Sequence, residues 1–103
     1  MNNKLLKIIQ HYGVNSQQRK LQEEVFELQE AITTHELKQS VEYEIPLTEI
    51  VGTHEHIVEE LSDCLVVLAQ FQYYYNITDE EIYDVMQQKI DRTIKRIEKE
   101  KLK

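Results

Sequence analysis

The sequence predicts an all-α fold, a bundle of about four helices that we expect oligomerisation to complete. Glycine and proline, which interrupt helices, occur only twice and once, respectively. Apolar residues recur at steps of three and four, the period of an amphipathic helix. The length suits a single domain over 1–103. A domain this small buries only about 60–65% of the surface of its unfolded chain, so we expect it to need a partner surface.

Two helices are expected before the middle of the chain. The first covers about 4–12 and ends where Gly13 can adopt a left-handed conformation. Asn15 or Ser16 could cap the second, which runs to about Gln39. The apolar seam predicted for the second helix consists of Leu21, Val25, Leu28 and Ile32.

The second half of the chain predicts an insertion and two further helices. The segment 40–53 holds the only proline and one of the two glycines, so we expect a loop insertion there. A third helix over about 54–75 is apolar on nearly every side in its middle, which predicts a central position. Thr78 followed by Glu81 is a capping-box pattern that predicts the start of a fourth helix.

Charge and cysteine content exclude several classes of function. The net charge of −7 repels nucleic acid and anionic membranes, and no large basic patch precedes the last turns of the chain. No segment approaches the ~20 apolar residues of a membrane span. We therefore expect a cytoplasmic protein without nucleic-acid or membrane partners. Cys64 is the single cysteine and lies in an apolar run, so we expect a buried thiol and no internal disulfide.

Two pairs of carboxylates are the strongest indication of function. Glu24 and Glu27 lie in KLQEEVFELQEAI, and Glu60 and Asp63 lie in HIVEELSDCLVVL. Each pair has i, i+3 spacing and the same angular offset from the apolar seam of its helix. If the seams pack together, the four carboxylates converge at one edge of the contact, where a bound cation would offset their repulsion. One such pair alone is typical of a solvated helix face.

KLQEEVFELQEAI followed by EELSDCLVVL resembles the paired motifs of MazG-like nucleoside triphosphate pyrophosphohydrolases, a superfamily that includes the all-α dUTPases. The likeness covers about 17–96, although the segment 28–59 between the motifs is longer than a tight helical hairpin needs. The resemblance implies hydrolysis of a nucleoside triphosphate to monophosphate and pyrophosphate by a homodimer or homotetramer. It also implies that Mg²⁺, with Mn²⁺ as a substitute, is held by Glu24, Glu27, Glu60 and Asp63.

Within this interpretation one carboxylate would orient or deprotonate the attacking water, and the sequence leaves Glu23 and Glu27 as alternatives. Lys20 lies between the acidic residues in angle and could bind phosphate, although an i, i+4 ion pair with Glu24 also explains it. Tyr74 lies at the same angular position on the third helix as the second acidic motif, and its ring could stack on a base. Alternatively, the aromatic run FQYYY extends the core or meets another subunit.

The predicted fourth helix carries a narrow basic ridge formed by Lys89, Arg92 and Arg96. Such cations could bind the triphosphate or form ordinary ion pairs with neighbouring carboxylates. For Arg96 we prefer the ion pair, and for Lys89 and Arg92 both alternatives stay open. His54 and His56 are expected to begin the third helix, because the chain contains no Glu-x-x-His motif of the di-iron type.

Two functions of another class compete with hydrolysis. The chain could be a non-catalytic acidic helical interaction protein that binds a partner through its amphipathic or tyrosine-rich faces. A weaker alternative, motivated only by the net charge of −7, is an acidic mimic of nucleic acid that binds basic proteins. Neither alternative requires Mg²⁺.

Overall fold

Four α-helices and no strand make up the part of the chain that the structure, a computed structural model, describes, which is residues 2–39 and 51–102. This confirms the predicted all-α fold. The helix boundaries lie within two residues of the predicted ones. In chain order the helices are α1 (Asn2–Tyr12), α2 (Val14–Gln39), α3 (His54–Tyr74) and α4 (Asp79–Lys101).

Gly13 alone separates α1 from α2. Its φ of 91° is left-handed, as predicted for a helix terminator, and its N–H donates to the carbonyl oxygen of Ile9 over 2.8 Å. The N–H of Gln17 already donates to the Gly13 carbonyl over 3.1 Å. Asn15 and Ser16 therefore lie inside α2, and the prediction that one of them caps this helix is wrong.

Threonine side chains cap the next two helices. Thr53 Oγ1 accepts from the His56 N–H over 3.1 Å, so α3 begins at His54 as predicted. Thr78 Oγ1 accepts from the Glu81 N–H over 3.1 Å, which confirms the predicted start of α4. The predicted loop over 40–53 lies outside the described residues except for 51–53, which form a turn.

Helices α1, α2 and α3 pack together, with α3 against both of the others. Helices α2 and α3 run antiparallel, because Gln17 near the start of α2 contacts Gln70 near the end of α3. At the other end, His35 of α2 contacts Gly52 just before α3. The buried apolar residues are Leu5, Ile9, Ala31, Cys64 and Val67. Burial of Cys64 was predicted, and burial raises the pKa of its thiol.

The predicted packing seams differ from those observed. On α2, Val25 and Ile32 are 39% and 44% exposed, and Leu61 on α3 is 46% exposed. Polar side chains occupy the interface instead: Gln17 and Glu24 of α2 and Glu60 and Gln70 of α3. Both helices are rotated by roughly 60–80° from the predicted orientation. Glu24 and Glu60 therefore lie inside the interface and not at its edge.

Helix α4 packs on no other helix within the described ranges. Its apolar residues are consequently exposed: Tyr83, Val85, Met86, Ile90, Ile94 and Ile97. The outer face of α3 is also exposed at Val58, Leu61, Leu65 and Leu68. The radius of gyration is 17.9 Å, compared with about 13 Å for a compact domain of this length. None of the described helices combines the length and the apolar character that a membrane span requires.

Candidate metal site and adjoining cleft

Antiparallel packing of α2 on α3 brings together three of the four predicted metal ligands. Glu24, Glu60 and Asp63, here called the acidic cluster, each offer one oxygen, and these oxygens lie within 4.8 Å of one another. Glu60 and Asp63 project from the same side of α3 because they are three residues apart. Glu24 and Glu60 are buried, whereas Asp63 is exposed.

The buried oxygens of the cluster lack hydrogen-bond donors. Glu24 Oε2 and Glu60 Oε2 are both inaccessible, and no donor reaches either atom among the residues that the structure describes. A buried ionised carboxylate without a partner is strongly unfavourable. The two oxygens belong to residues that also point toward Asp63, so a cation bound between the three carboxylates would satisfy them.

The remaining oxygens of the two buried glutamates are held by partners on their own helices. Lys20 Nζ lies 2.9 Å from Glu24 Oε1, which confirms the i, i+4 pair expected from the sequence. The hydrogen bond and the charge of Glu24 raise the pKa of Lys20. His56 Nε2 lies 3.2 Å from Glu60 Oε1. Each glutamate is thus held at Oε1 by a partner on its own helix, whereas its Oε2 is the buried atom without a donor.

The turn before α3 orients His56. The Gly52 N–H donates to His56 Nδ1 over 3.2 Å, so Nδ1 is the unprotonated nitrogen and Nε2–H is free to donate to Glu60. The carbonyl oxygen of Gly52 accepts from His35 Nδ1 over 2.8 Å. The role of His56 was missed from the sequence, where its four-residue spacing from Glu60 was the available signal.

Two members of the predicted acidic motifs have raised pKa values. Asp63 is exposed but partly desolvated by the surrounding protein, which raises its pKa, and the charges of Glu24 and Glu60 raise it further. Desolvation by the surrounding protein likewise raises the pKa of Glu27, and the neighbouring carboxyl groups of Glu24 and Glu60 raise it further. Glu27, the fourth predicted ligand, therefore lies beside the cluster but outside the three oxygens that converge within 4.8 Å.

A cleft of about 550 Å³ adjoins the cluster between α1, α2 and α3. Its acidic lining includes Glu24 and Asp63, together with Glu23, whose Oε2 lies 3.9 Å from Lys20 Nζ. The polar lining also includes cationic and amide side chains: Arg19, Lys20, Gln17 and Gln70. Arg19 and the two glutamines were not predicted. Gln17 precedes Glu24 by two helical turns on one stripe, which was the only signal for it.

Three predicted substrate-binding residues are not at this cleft. Lys89 and Arg92 lie on α4, which packs on none of the other described helices. Tyr74 is the last residue of α3, is 45% exposed and makes an edge-on contact with Tyr75 at 5.0 Å between ring centroids. Within a single chain, none of these side chains lines the cleft.

The arrangement of groups defines what this region can do chemically. An all-oxygen donor set, two unsatisfied buried carboxylate oxygens and a cleft with two cationic side chains are suited to a hard divalent cation and an anionic ligand. No protein-family model matches the chain, and no curated protein or solved structure matches it either. Function is therefore inferred from the cluster and the cleft.

Proposed function

We propose that this protein is a Mg²⁺-dependent nucleoside triphosphate pyrophosphohydrolase that releases a nucleoside monophosphate and pyrophosphate. The observation that carries the proposal is the convergence of three carboxylates from two helices, two of which also have a buried oxygen that lacks a donor. A cleft of about 550 Å³ adjoins them, a volume within the usual range for small-molecule sites.

The residues present fit magnesium. Glu24, Glu60 and Asp63 would hold the ion, with Glu27 beside them as the fourth ligand, and oxygen is the donor that Mg²⁺ prefers. Mn²⁺, which also accepts oxygen ligands, is the expected substitute. When bound, the ion would neutralise phosphate charge and lower the pKa of a coordinated water.

The protein groups would position the substrate and move the proton. Glu27 is a candidate general base because it lies beside the acidic cluster, where its carboxyl group could accept a proton from a water held there. Glu23, which lines the cleft, is the alternative base. Lys20 stays protonated because Glu24 raises its pKa, so Lys20 and Arg19 would both present positive charge to the phosphates.

A MazG-like family membership is part of the proposal. Its support is that both resembling motifs contribute to one cluster: Glu24 comes from the first motif, and Glu60 and Asp63 come from the second. Packing alone does not explain polar residues at the centre of the α2/α3 interface. We also propose that the protein is cytoplasmic. Its single cysteine is buried and free, which suits a reducing compartment.

Assembly into a homodimer or homotetramer completes the proposal. Helix α4 and the outer face of α3 present apolar residues that the chain itself does not cover. Lys89 and Arg92 would then contact the triphosphate of a neighbouring subunit, since α4 does not pack on the described helices of its own chain.

Product analysis tests this function. The purified chain is incubated with each common ribo- and deoxynucleoside triphosphate, with Mg²⁺ or with chelator, and the products are separated by ion exchange. We expect equimolar monophosphate and pyrophosphate in the presence of Mg²⁺ only. Release of diphosphate and orthophosphate, or no release from any substrate by well-folded protein, would refute the proposal.

A non-catalytic helical interaction protein is the second candidate, favoured by the uncovered apolar face of α4. Such a protein would need no cation. The two candidates differ in the effect of glutamate-to-glutamine substitutions in the acidic cluster. These would leave partner binding through α4 intact, whereas they would abolish hydrolysis.

A further inference from the structure

Two glutamine side chains are buried side by side at the cleft. Gln17 is 6% and Gln70 is 2% exposed, and Gln17 Nε2 donates to Gln70 Oε1 over 2.7 Å. Both residues also line the cleft. Glutamine is rarely buried to this extent, and a buried amide needs partners for both its oxygen and its nitrogen.

The single bond between the amides leaves hydrogen-bonding capacity unused. Neither amide makes another hydrogen bond to any residue within 2–39 and 51–102, so Gln17 keeps a free carbonyl oxygen and Gln70 keeps a free NH₂ group. Turning both amides over reverses the bond and exchanges these roles. In either arrangement the pair offers one acceptor and one donor next to each other.

Such a pair complements the edge of a nucleobase. Uracil offers a ring N–H beside a carbonyl oxygen, and cytosine offers a ring nitrogen beside an amino group. The first combination fits one arrangement of the amides and the second fits the reversed arrangement. In both arrangements a buried amide pair disfavours ligands that leave its free donor and acceptor unpaired.

The distance from the amides to the acidic cluster suits a nucleotide. Gln70 is seven residues beyond Asp63 on α3, and Gln17 is seven residues before Glu24 on α2. Seven helical residues correspond to about 10 Å. A ribose and its first phosphates occupy a length of this order, so a base at the amides leaves the triphosphate beside Lys20 and the cluster.

The other walls of the cleft suit an aromatic ring. Ile8 of α1 and Val66 and Val67 of α3 provide apolar surface. Tyr12 also lines the cleft and is 62% exposed, so its ring can contact a base in addition to the ring of His11, whose centroid lies 4.7 Å away.

We propose that this cleft binds the nucleobase of the substrate, with Gln17 and Gln70 hydrogen-bonding to the edge of the base and Tyr12 contacting its face. The inference rests on the proposed hydrolysis of a nucleoside triphosphate and defines where the base is bound. It assigns this role to the α1 side of the bundle and not to Tyr74.

Binding measurements on the wild-type chain test the proposal without any question of misfolding. The probes are the α,β-imido analogue of UTP, its N3-methyl derivative and inorganic tripolyphosphate, each titrated by calorimetry in the presence of Mg²⁺. We expect the imido analogue to bind at least about 10-fold more tightly than tripolyphosphate. Methylation removes the ring N–H and should weaken binding by about 10- to 100-fold.

The double variant Gln17→Met and Gln70→Met supplies the matched comparison. It replaces both amides with apolar groups of similar shape, so neither is left unpaired in the fold. In this variant the N3-methyl penalty should disappear, while the affinity for tripolyphosphate and for Mg²⁺ should stay unchanged. Circular dichroism checks that the helices are retained.

Each other result counts against the proposal in a distinct way. Equal affinity for the imido analogue and tripolyphosphate, or an N3-methyl penalty that persists in the double variant, would overturn the base site while leaving phosphate and metal binding intact. If the wild-type chain binds none of the probes, the proposed function and the base site fail together.

Discussion

Glu24 and Glu60 are unfavourable residues for a small domain to bury. Ordinary core formation would favour apolar side chains at these two positions, since removing a carboxylate from water without pairing it costs several kcal/mol. Lys20 and His56 partner one oxygen of each, and the second oxygen remains without a donor among the described residues. A bound cation is the simplest physical reason to keep both carboxylates.

At the residue scale, Glu60→Gln and Asp63→Asn should each reduce hydrolysis by at least about 100-fold. Each change removes a ligand charge and keeps the side-chain volume. The amide oxygen introduced by Glu60→Gln would still accept the hydrogen bond from His56, so the fold should persist. Without Mg²⁺ the Tm should rise by a few degrees, because a repelling charge is lost.

Glu30→Gln is the matched control for these variants, because Glu30 is an exposed carboxylate on α2 outside the cluster. Its activity should equal that of the parent. Near-parental turnover by both Glu60→Gln and Asp63→Asn at saturating Mg²⁺ would remove the metal assignment.

His56 is expected to position Glu60. His56→Ala should weaken Mg²⁺ binding by about 10- to 100-fold, since groups that hold a ligating carboxylate commonly contribute that much. His56→Gln, which can still donate to Glu60, should recover part of the affinity, and exposed His54→Ala should have no effect. Calorimetric titration with Mg²⁺ measures all three, and unchanged affinity in His56→Ala would contradict the role.

The raised pKa values of Glu27 and Asp63 predict how stability depends on pH without metal. A carboxyl whose pKa is higher in the folded state adds stability below its ordinary pKa of about 4, and this contribution is lost as pH rises through the raised value. The Tm of the apo protein should therefore decline with increasing pH above about 4 more steeply than that of the double variant Glu27→Gln and Asp63→Asn. Saturating Mg²⁺, which binds the ionised carboxylates, should reduce this decline. Parallel Tm profiles for the two apo proteins would show that burial of these carboxyls has no such effect.

At the scale of elements, the turn before α3 links the packing of α2 and α3 to the acidic cluster. Gly52 has a φ of 84°, its carbonyl accepts from His35 and its N–H donates to the His56 ring. A Cβ atom at this position would lie 2.7 Å from Thr34 Cγ2 and 2.8 Å from the backbone nitrogen of His35. A side chain here would be both strained and obstructed.

Gly52→Ala should therefore destabilise the fold by about 2–4 kcal/mol, from left-handed strain and overpacking together. Gly13→Ala is the matched control, because Gly13 also has positive φ but nothing lies within 4 Å of an added Cβ. It should lose only about 1 kcal/mol. Urea denaturation compares the two variants, and equal losses would mean that the contact with Thr34 and His35 is not a constraint.

The positions of the helices along the chain were more predictable from the sequence than the faces by which the helices pack. Gly13, Thr53 and Thr78 act through local backbone rules, so three of the helix ends follow from short stretches of sequence. The faces that pack do not, because α2 and α3 leave Val25, Ile32 and Leu61 exposed and bury polar residues. Hydrophobic periodicity predicts that the most apolar stripe of a helix faces the core. This prediction fails when functional polar residues on another stripe pack against the neighbouring helix.

Part of the candidate site could also be predicted. The i, i+3 spacing identified Glu24, Glu60 and Asp63, because one helix face presents both carboxylates of a motif. Gln17 and Gln70 could not be identified, since their contact links residues 53 positions apart and depends on the antiparallel alignment of two helices.

At the scale of the whole molecule, the chain exposes more surface than a compact monomer would. Its accessible surface is 8720 Å², whereas a compact monomer of 12.4 kDa exposes about 6100 Å². The difference, about 2,600 Å² for one chain, is comparable to the upper end of what each partner buries in an obligate dimer, whose interface totals about 2,000–5,000 Å² over both chains. The exposed faces of α3 and α4 supply the apolar part of this area.

The chain should therefore be a dimer or tetramer in solution at micromolar concentration, measured by light scattering. Ile90→Glu, on the apolar face of α4, should dissociate it or unfold it, because a charge would be placed in the contact. Lys95→Glu reverses a charge on the same helix, outside the stripe that contains Ile90, and should leave the assembly intact. A well-folded monomer in the wild-type protein would contradict this prediction.

The central claim is that the acidic cluster is a divalent-cation site, and thermal unfolding during a Mg²⁺ titration tests it most directly. A ligand that binds only the folded state adds about 2.7 kcal/mol at 100 times its dissociation constant. The wild-type Tm should rise by several degrees between chelator and millimolar Mg²⁺, and Glu24→Gln should lose most of this rise. If the wild-type Tm does not change with Mg²⁺, or if Glu24→Gln responds as the wild type does, the cluster is not the metal site.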